Sequence, residues 1–196
     1  LGRNRCFFEV QLAPYGTPPG DSSDLENLAI KLIHLPGLRG VPERFYPATA
    51  VGSVFPGTFE PYTASVLFGW AETKDQRLKK LGSQLSDLGL TWKVEPKRVD
   101  DTRVSLLVGR LPRSAVGGSH DLVNIADVGL GVSQTLPMLV ALLCATKGQV
   151  VYIEQPEIHL HPRAQVALAE VLLLASLRGV IVVVETHSSL LLTSLQ

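Results

Sequence analysis

The chain contains 196 residues, of which 45% are hydrophobic and 18% are charged, and its mean hydropathy is +0.21. This composition supports a buried core and excludes a disordered tail. The 18 basic and 18 acidic side chains balance, so the net charge gives no support for binding to nucleic acid or to an anionic membrane. The apolar runs are too short to span a bilayer, and the two cysteines, Cys6 and Cys144, form no disulfide framework, so we expect a cytoplasmic setting and no membrane partner.

The first part of the chain predicts a strand, a helix and a long irregular segment. Residues 5–12 are predicted to form a strand. Leucines at helical spacing, preceded by a capping-box pair at Ser23 and Glu26, predict an amphipathic helix over 24–35. Proline and glycine are frequent over 36–61, where we expect no clear element.

A helix and a hairpin are predicted next. Leucines at helical spacing over 78–88 indicate a helix, and Gly89 suits the position just after its end. Residues 92–99 and 102–110 flank a pair of aspartates and predict a β-hairpin.

The last seventy residues predict a βαβ unit. They carry only three basic and five acidic side chains, so each charge there is informative. Predicted helices over 134–147 and 163–178 alternate with buried strands over 149–154 and 180–185, and another helix starts near Ser188. Unbroken β-branched strands on either side of such a helix indicate a parallel sheet with a right-handed crossover.

The predicted fold class is therefore α/β, with a mainly parallel sheet and flanking helices over 121–196. The preceding residues, 1–120, are predicted to form an antiparallel β and helical part. The sequence begins at Leu1 rather than Met and ends within an apolar run at Gln196, so we expect it to be a piece of a longer protein.

Polar residues follow both predicted strands of the βαβ unit, where ligands bind in parallel sheets. Glu154 and Gln155 end the first strand, and a carboxylate at this place is how nucleotide-hydrolysing folds hold Mg²⁺. His187 follows the second strand and could donate to a phosphate or orient a water. The alternatives are an acid that only solvates a loop and an ordinary surface histidine.

A glycine-containing segment leads into the helix predicted over 134–147. Gly129 and Gly131 let the backbone approach a ligand, and Ser133 can cap the helix. The free N–H groups at a helix N-terminus favour an anion. The alternative is a simple tight turn.

A third pattern is Glu157-x-His159-x-His161. In an extended stretch, alternate side chains share one side, so these three could converge on a metal such as Zn²⁺ and form a metal-dependent hydrolase. Otherwise His161 caps the helix that Pro162 begins.

Three ordered segments resemble one known family. The segments are DVGLGVSQTLP at 127–137, VVYIEQPEIHLHPRAQ at 150–165 and VVVETHSSLLL at 182–192, with a weaker fit for HLPGLRGVPERFY at 34–46. They are similar to the signature, the Walker B and D-loop, the His-switch and the Pro–Leu–Arg segment of predicted ATPases of the OLD (overcoming lysogenization defect) family. That family is SMC-like and has an ABC-type P-loop head.

The resemblance implies a role for each matching residue. Glu154 stands at the Walker B carboxylate with Gln155 beside it, His161 stands at the D-loop position, and His187 is the switch histidine. The signature residues, which would contact the γ-phosphate of ATP held by an opposite protomer, are Gly129, Gly131, Ser133 and Gln134. ATP and Mg²⁺ are the implied cofactors, and residues 1–120 correspond to the arm-side subdomain beside an ATPase core over 121–196.

Two features depart from the family pattern. Glycine is never followed by lysine in this chain, so the phosphate-binding Walker A loop is expected in a missing N-terminal half, and this chain alone should be inactive. Gln155 stands where a glutamate is expected, and an amide orients water without accepting its proton. Glu157 or His187 is then the candidate base.

Three functions are therefore weighed. The favoured one is an ATPase whose ATP-driven homodimerisation controls an attached or partner activity, such as a nuclease in phage defence, with DNA as a further partner. The others are the metal-dependent hydrolase on Glu157, His159 and His161, and a non-catalytic interaction module.

Overall fold

The computed structural model describes residues 32–110 and 121–196. The predicted strand over 5–12 and most of the helix predicted over 24–35 lie outside the described residues. The elements in chain order are β1 (Leu32–Leu35), β2 (Tyr46–Pro47), α1 (Thr63–Glu72), α2 (Gln76–Asp87), β3 (Val94–Arg98), β4 (Arg103–Gly109), β5 (Leu122–Asn124), α3 (Leu130–Cys144), β6 (Val150–Glu154), α4 (Pro162–Leu177), β7 (Ile181–Glu185) and α5 (Ser189–Ser194).

A parallel sheet of order β1-β6-β7 is the first layer of the fold. The unit β6-α4-β7 confirms the predicted βαβ arrangement. One face of the sheet is buried because alternate apolar side chains point toward the helices, as Ile33 and Val151 do at 1% and 0% exposure. On the opposite face, Ile181 and Val183 are 51% and 45% exposed. No described element covers that face.

A second, antiparallel sheet has the order β2-β4-β3, with β5 also paired to β4. The predicted hairpin is confirmed as β3 and β4. Its turn is held by Asp100, whose carboxylate accepts hydrogen bonds from the backbone N–H and hydroxyl of Thr102, each at 2.9 Å. The predicted α/β class, with one parallel and one antiparallel part, is therefore confirmed.

Helix α3 is the centre of the core. It packs on β1 and β6 of the parallel sheet and on α1 and α2. Every residue from Val132 to Leu143 is buried. This all-round burial explains why the helix is apolar on every face.

The helix predicted over 24–35 is wrong for its last four residues, which form β1. Leu32 to Leu35 pair in parallel with Val150 to Ile153 of β6. The apolar spacing fits a helix turn, but long-range pairing in the sheet decides the outcome. Within 36–61, expected to lack elements, the structure forms the short strand β2 and the start of a 3₁₀ turn, Glu60–Tyr62.

The start of α3 also corrects a prediction. The helix begins at Leu130, with Gly129 at its N-cap, four residues earlier than predicted. Ser133 therefore does not cap the helix; it lies in the first turn, and its hydroxyl donates to the carbonyl of Leu130 at 3.2 Å.

Other predicted helix ends are confirmed. Gly89 follows α2 with a φ of +73°, a left-handed conformation that glycine adopts without strain. Pro162 is the first residue of α4, and the Nδ1 of His161 accepts the N–H of Arg163 at 3.3 Å. Among the described residues, none of the helices has the length and apolarity needed to cross a membrane.

Candidate functional site

Glu154 is the last residue of β6 and lies in register with Glu185 at the end of β7. Its carboxylate is held from two sides. Oε1 lies 2.9 Å from Nε2 of His34 on β1, and Oε2 accepts the backbone N–H of Gly37 at 3.1 Å. The side chain remains 32% exposed, so an oriented carboxylate is accessible at the tip of the sheet.

These contacts favour the ionised form of Glu154. Partial burial raises the pKa of Glu154, but the hydrogen bonds with His34 and Gly37 and the charge of Arg39 lower it by more in total. The net effect is a pKa below the usual range of a glutamate. An ionised carboxylate is what a divalent cation requires.

A tyrosine and a second glutamate extend this polar cluster along the open sheet face. The hydroxyl of Tyr152 donates to Oε2 of Glu185 at 3.1 Å, and its ring stacks on His34 with centroids 5.2 Å apart. Burial, the bond to Glu185 and the nearby negative charges raise the pKa of Tyr152 to about 12. His34 and Tyr152 are not predicted from the sequence as site residues, although their alternation with buried neighbours puts both on the face of Glu154.

Gln155 has a strained backbone beside this cluster. Its φ is +44°, and its N–H donates to the carbonyl of Glu185 at 2.7 Å. A Cβ at Gly37 would lie 3.2 Å from the side-chain oxygen of Gln155, so that glycine makes room for the amide. Within the described part of the chain no hydrogen bond holds this amide, which leaves it available to a water or ligand. Backbone strain of this kind is concentrated at functional sites.

Arg39 connects the tip of β6 to the beginning of α3. It is 6% exposed, and its two terminal nitrogens donate to the carbonyls of Gln134 and Glu154 at 2.8 and 3.0 Å. In return, the Gln134 side chain donates to the carbonyls of Arg39 and Gly40 at 2.8 and 3.0 Å. Burial lowers the pKa of Arg39, and the charges of nearby glutamates oppose that change.

The predicted signature residues differ in their exposure to solvent. Gly129 is exposed at the N-terminus of α3, whereas Ser133 and Gln134 are buried at 9% and 5% exposure. A Cβ at Gly131 would lie 3.4 Å from the carbonyl of His159. Gly131 thus allows the loop after β6 to pack closely against α3.

His187 and Glu157 are joined at the end of β7. The backbone N–H of His187 donates to Oε1 of Glu157 at 2.8 Å, and the imidazole is exposed. Oε2 of Glu157 is buried, with no hydrogen-bond partner among the described residues. His187 is thereby fixed two residues beyond Glu185, which pairs with Glu154.

The metal cluster considered on Glu157, His159 and His161 is wrong. The loop turns instead of extending, with His159 at a φ of +64°, so its alternate side chains do not share one side. Glu157 binds the backbone of His187 and His161 caps α4. In the described ranges, no three histidine, cysteine or acidic side chains are grouped to hold a metal ion.

The chain matches one family model and is similar to a solved structure. A family model described as "AAA domain, putative AbiEii toxin, Type IV TA system" matches residues 87–193, which is more than half of the chain. No curated protein matches. A solved structure described as "Crystal structure of the SmcHead bound to the C-winged helix domain of ScpA" is similar with a TM-score of 0.45 and 12% identity, over 69% of this chain and 43% of that one. The chain thus spans less than half the length of that protein.

Proposed function

The chain belongs to the AAA-domain family of the AbiEii type, and on this premise we propose that it forms part of an ATPase in which Glu154 and His187 border one Mg²⁺–ATP site. Membership supports a nucleotide-binding ATPase in general. The assignment of individual residues is our proposal.

One observation carries it. Glu154 and Glu185 are register partners at the carboxyl ends of adjacent parallel strands, and His187 lies two residues beyond Glu185. Ligands of open α/β sheets bind at such strand ends. The carboxylate and the imidazole are therefore close to one edge of the sheet, as a shared phosphate site requires.

The residues present fit a magnesium ion. Mg²⁺ uses one or two carboxylates together with waters and phosphate oxygens, and Glu154 offers one oriented carboxylate whose oxygens each accept a single hydrogen bond. When bound, the ion supplies positive charge to the phosphate oxygens. His34 and Gly37 hold the carboxylate in place, and His187 would donate to the terminal phosphate or orient the attacking water.

The amide of Gln155 cannot accept a proton from the attacking water, so another group must act as the base. We assign the orientation of the water to the Gln155 amide, whose side chain has no other hydrogen bond within the described ranges. Glu157 and His187 are the candidate bases, because they follow the adjacent strands β6 and β7 and a hydrogen bond from the backbone N–H of His187 joins them.

The proposal includes a missing upstream half. That half would bring the Walker A loop, and the open sheet face with Ile181 and Val183 supports docking of further structure there. In a nucleotide-linked homodimer, the exposed Gly129 would meet the ATP of the opposite protomer. The buried Ser133 and Gln134 would support the helix behind it, and His161 would hold the D-loop in place.

We assign residues 1–120 to an arm-side subdomain and 121–196 to the ATPase core, in an OLD-type, cytoplasmic protein. Its ATP-driven dimerisation would control an attached or partner activity, such as a nuclease that acts on DNA in phage defence.

Nucleotide binding tests the proposal against a non-catalytic interaction module. A fluorescent ATP analogue is titrated with Mg²⁺ into the 196-residue chain and into the full-length protein that includes the upstream residues. We expect binding and hydrolysis only in the full-length protein. Failure of the full-length protein to bind the analogue would overturn the proposal and favour the interaction module.

A further inference from the structure

A continuous row of side-chain contacts crosses the open face of the parallel sheet. The row begins at Glu185 on β7 and passes to Tyr152 on β6. From Tyr152 it reaches His34 on β1, and it ends at Glu154, at the tip of β6. Tyr152 is the register partner of His34, as Glu185 is of Glu154. Because alternate residues of a strand and their register partners share one face, the four side chains lie on the same side of the sheet.

Each contact in the row restricts the next side chain. The hydroxyl of Tyr152 donates to Oε2 of Glu185 at 3.1 Å, which fixes the far end of the tyrosine ring. This ring lies nearly parallel to the imidazole of His34, with 12° between the planes and 5.2 Å between the centroids. Offset stacking of this kind is a favourable arrangement of aromatic rings. The stacked imidazole presents Nε2 to Oε1 of Glu154 at 2.9 Å.

The two hydrogen bonds of the row have fixed directions. An ionised carboxylate only accepts, so Nε2 of His34 carries the hydrogen that points to Glu154. Burial and the bond to Glu185 raise the pKa of Tyr152 to about 12, so its hydroxyl remains a donor. The His34 side chain is 30% exposed and has room to turn toward solvent. The stacked ring of Tyr152 therefore limits the rotation of the imidazole.

We propose that Tyr152 is a positioning residue for the divalent cation of the nucleotide site. Its ring holds the imidazole of His34, and through His34 it holds the carboxylate of Glu154 in the orientation that binds the ion. The inference rests on the proposed function, because it takes Glu154 as the carboxylate that binds Mg²⁺. Removal of a group that orients a metal ligand typically weakens metal binding about tenfold to a hundredfold. Tyr152 acts one contact further away, so its removal has a smaller effect.

Binding of Mn²⁺ to the full-length protein tests the inference. Mn²⁺ takes the same oxygen ligands as Mg²⁺, and electron paramagnetic resonance measures its free concentration beside a non-hydrolysable ATP analogue. We expect Tyr152→Leu to weaken Mn²⁺ binding about threefold or more, and Tyr152→Phe, which keeps the stacked ring, to weaken it less. The matched control is Tyr62→Leu, which removes a ring contact with Phe55 and a hydroxyl bond to the carbonyl of Pro56. This control should leave Mn²⁺ binding unchanged.

A double-variant cycle separates positioning from a merely structural role. His34→Ala should weaken Mn²⁺ binding about tenfold or more. Because Tyr152 acts through His34, Tyr152→Leu should have no further effect in the His34→Ala protein. The same loss from Tyr152→Leu in both backgrounds would overturn the inference. Tyr152→Phe that binds as weakly as His34→Ala would also overturn it, because the stacked ring is still present. Circular dichroism reports that each variant is folded.

The unsubstituted protein distinguishes failure of this inference from failure of the proposed function. If the full-length protein binds no Mn²⁺ beside the ATP analogue, the proposed function and this inference are both overturned. If it binds Mn²⁺ and Tyr152→Leu binds as tightly as Tyr62→Leu, only the role of Tyr152 is overturned.

Discussion

Arg39 and Gln134 are joined by reciprocal hydrogen bonds, although 95 residues separate them. The guanidinium of Arg39 donates to the carbonyl of Gln134 at 2.8 Å, and the amide of Gln134 donates to the carbonyl of Arg39 at the same distance. A further donation from Arg39 reaches the carbonyl of Glu154 at 3.0 Å. The tip of β6 and the N-terminal part of α3 are therefore fixed to each other through buried side-chain hydrogen bonds.

Loss of this guanidinium should destabilise the protein. Arg39→Met removes the bonds donated to the carbonyls of Gln134 and Glu154, so we expect the free energy of unfolding to fall by about 2–4 kcal/mol. Urea denaturation measures it. The matched control is Arg44→Met, because Arg44 forms an exposed pair with Asp127 that is worth less than about 1 kcal/mol. Equal losses in the two variants would contradict the role of Arg39.

The N-cap of α2 predicts a pH-dependent contribution to stability. Two hydrogen bonds from Arg77 lower the pKa of Asp75. The bond from the Arg77 side chain has the larger effect, and the bond from its backbone N–H has the smaller one. Because the folded pKa lies below that of the unfolded chain, about 3.9, the contribution is complete above that pH and is lost as the pH falls through the folded value. Asp75→Ala should therefore cost about 1 kcal/mol at pH 7 and progressively less in acid.

The comparison for this variant is Asp101→Ala, whose side chain is 99% exposed and should change stability little. Urea denaturation over a series of pH values checks both. A cost for Asp75→Ala that stays constant down to the lowest pH at which the protein folds would contradict the capping account.

Gln155 offers a gain-of-function prediction. In the full-length protein, Gln155→Glu should raise the rate of ATP hydrolysis about tenfold or more, since a carboxylate accepts the proton that the amide cannot. The matched control is Gln76→Glu, an exposed change at the start of α2. Steady-state phosphate release measures the rate, and a large drop for Gln155→Glu would contradict the assigned role.

Local sequence signals predict the βαβ unit well, for physical reasons. The strands β6 and β7 are short β-branched runs, and the helix between them is bounded by Pro162 and Gly179. The pattern of apolar residues and the residues at the helix ends therefore indicate the same elements. These strand ends place Glu154 beside Glu185, and His187 lies two residues beyond Glu185. The assigned roles of Glu154 and His187 remain predictions.

The rest of the site depends on long-range pairing. β1 contributes His34 only because Leu32 to Leu35 pair with β6, about 120 positions away, and their leucine spacing by itself indicates a helix. Helix α1 is also missed, since its β-branched and aromatic residues and Gly69 carry weak helical propensity. Its burial against α3, rather than its own sequence, stabilises it.

Hydrolysis of ATP by the full-length protein carrying Glu154→Gln tests the central claim most directly. The amide preserves the size of the side chain but removes the negative charge, so we predict a loss in rate of about a hundredfold or more, with unchanged folding. Glu170→Gln, on the exposed side of α4, should hydrolyse ATP at the normal rate. A Glu154→Gln protein that is as active as this control would contradict the assignment of Glu154 to the nucleotide site.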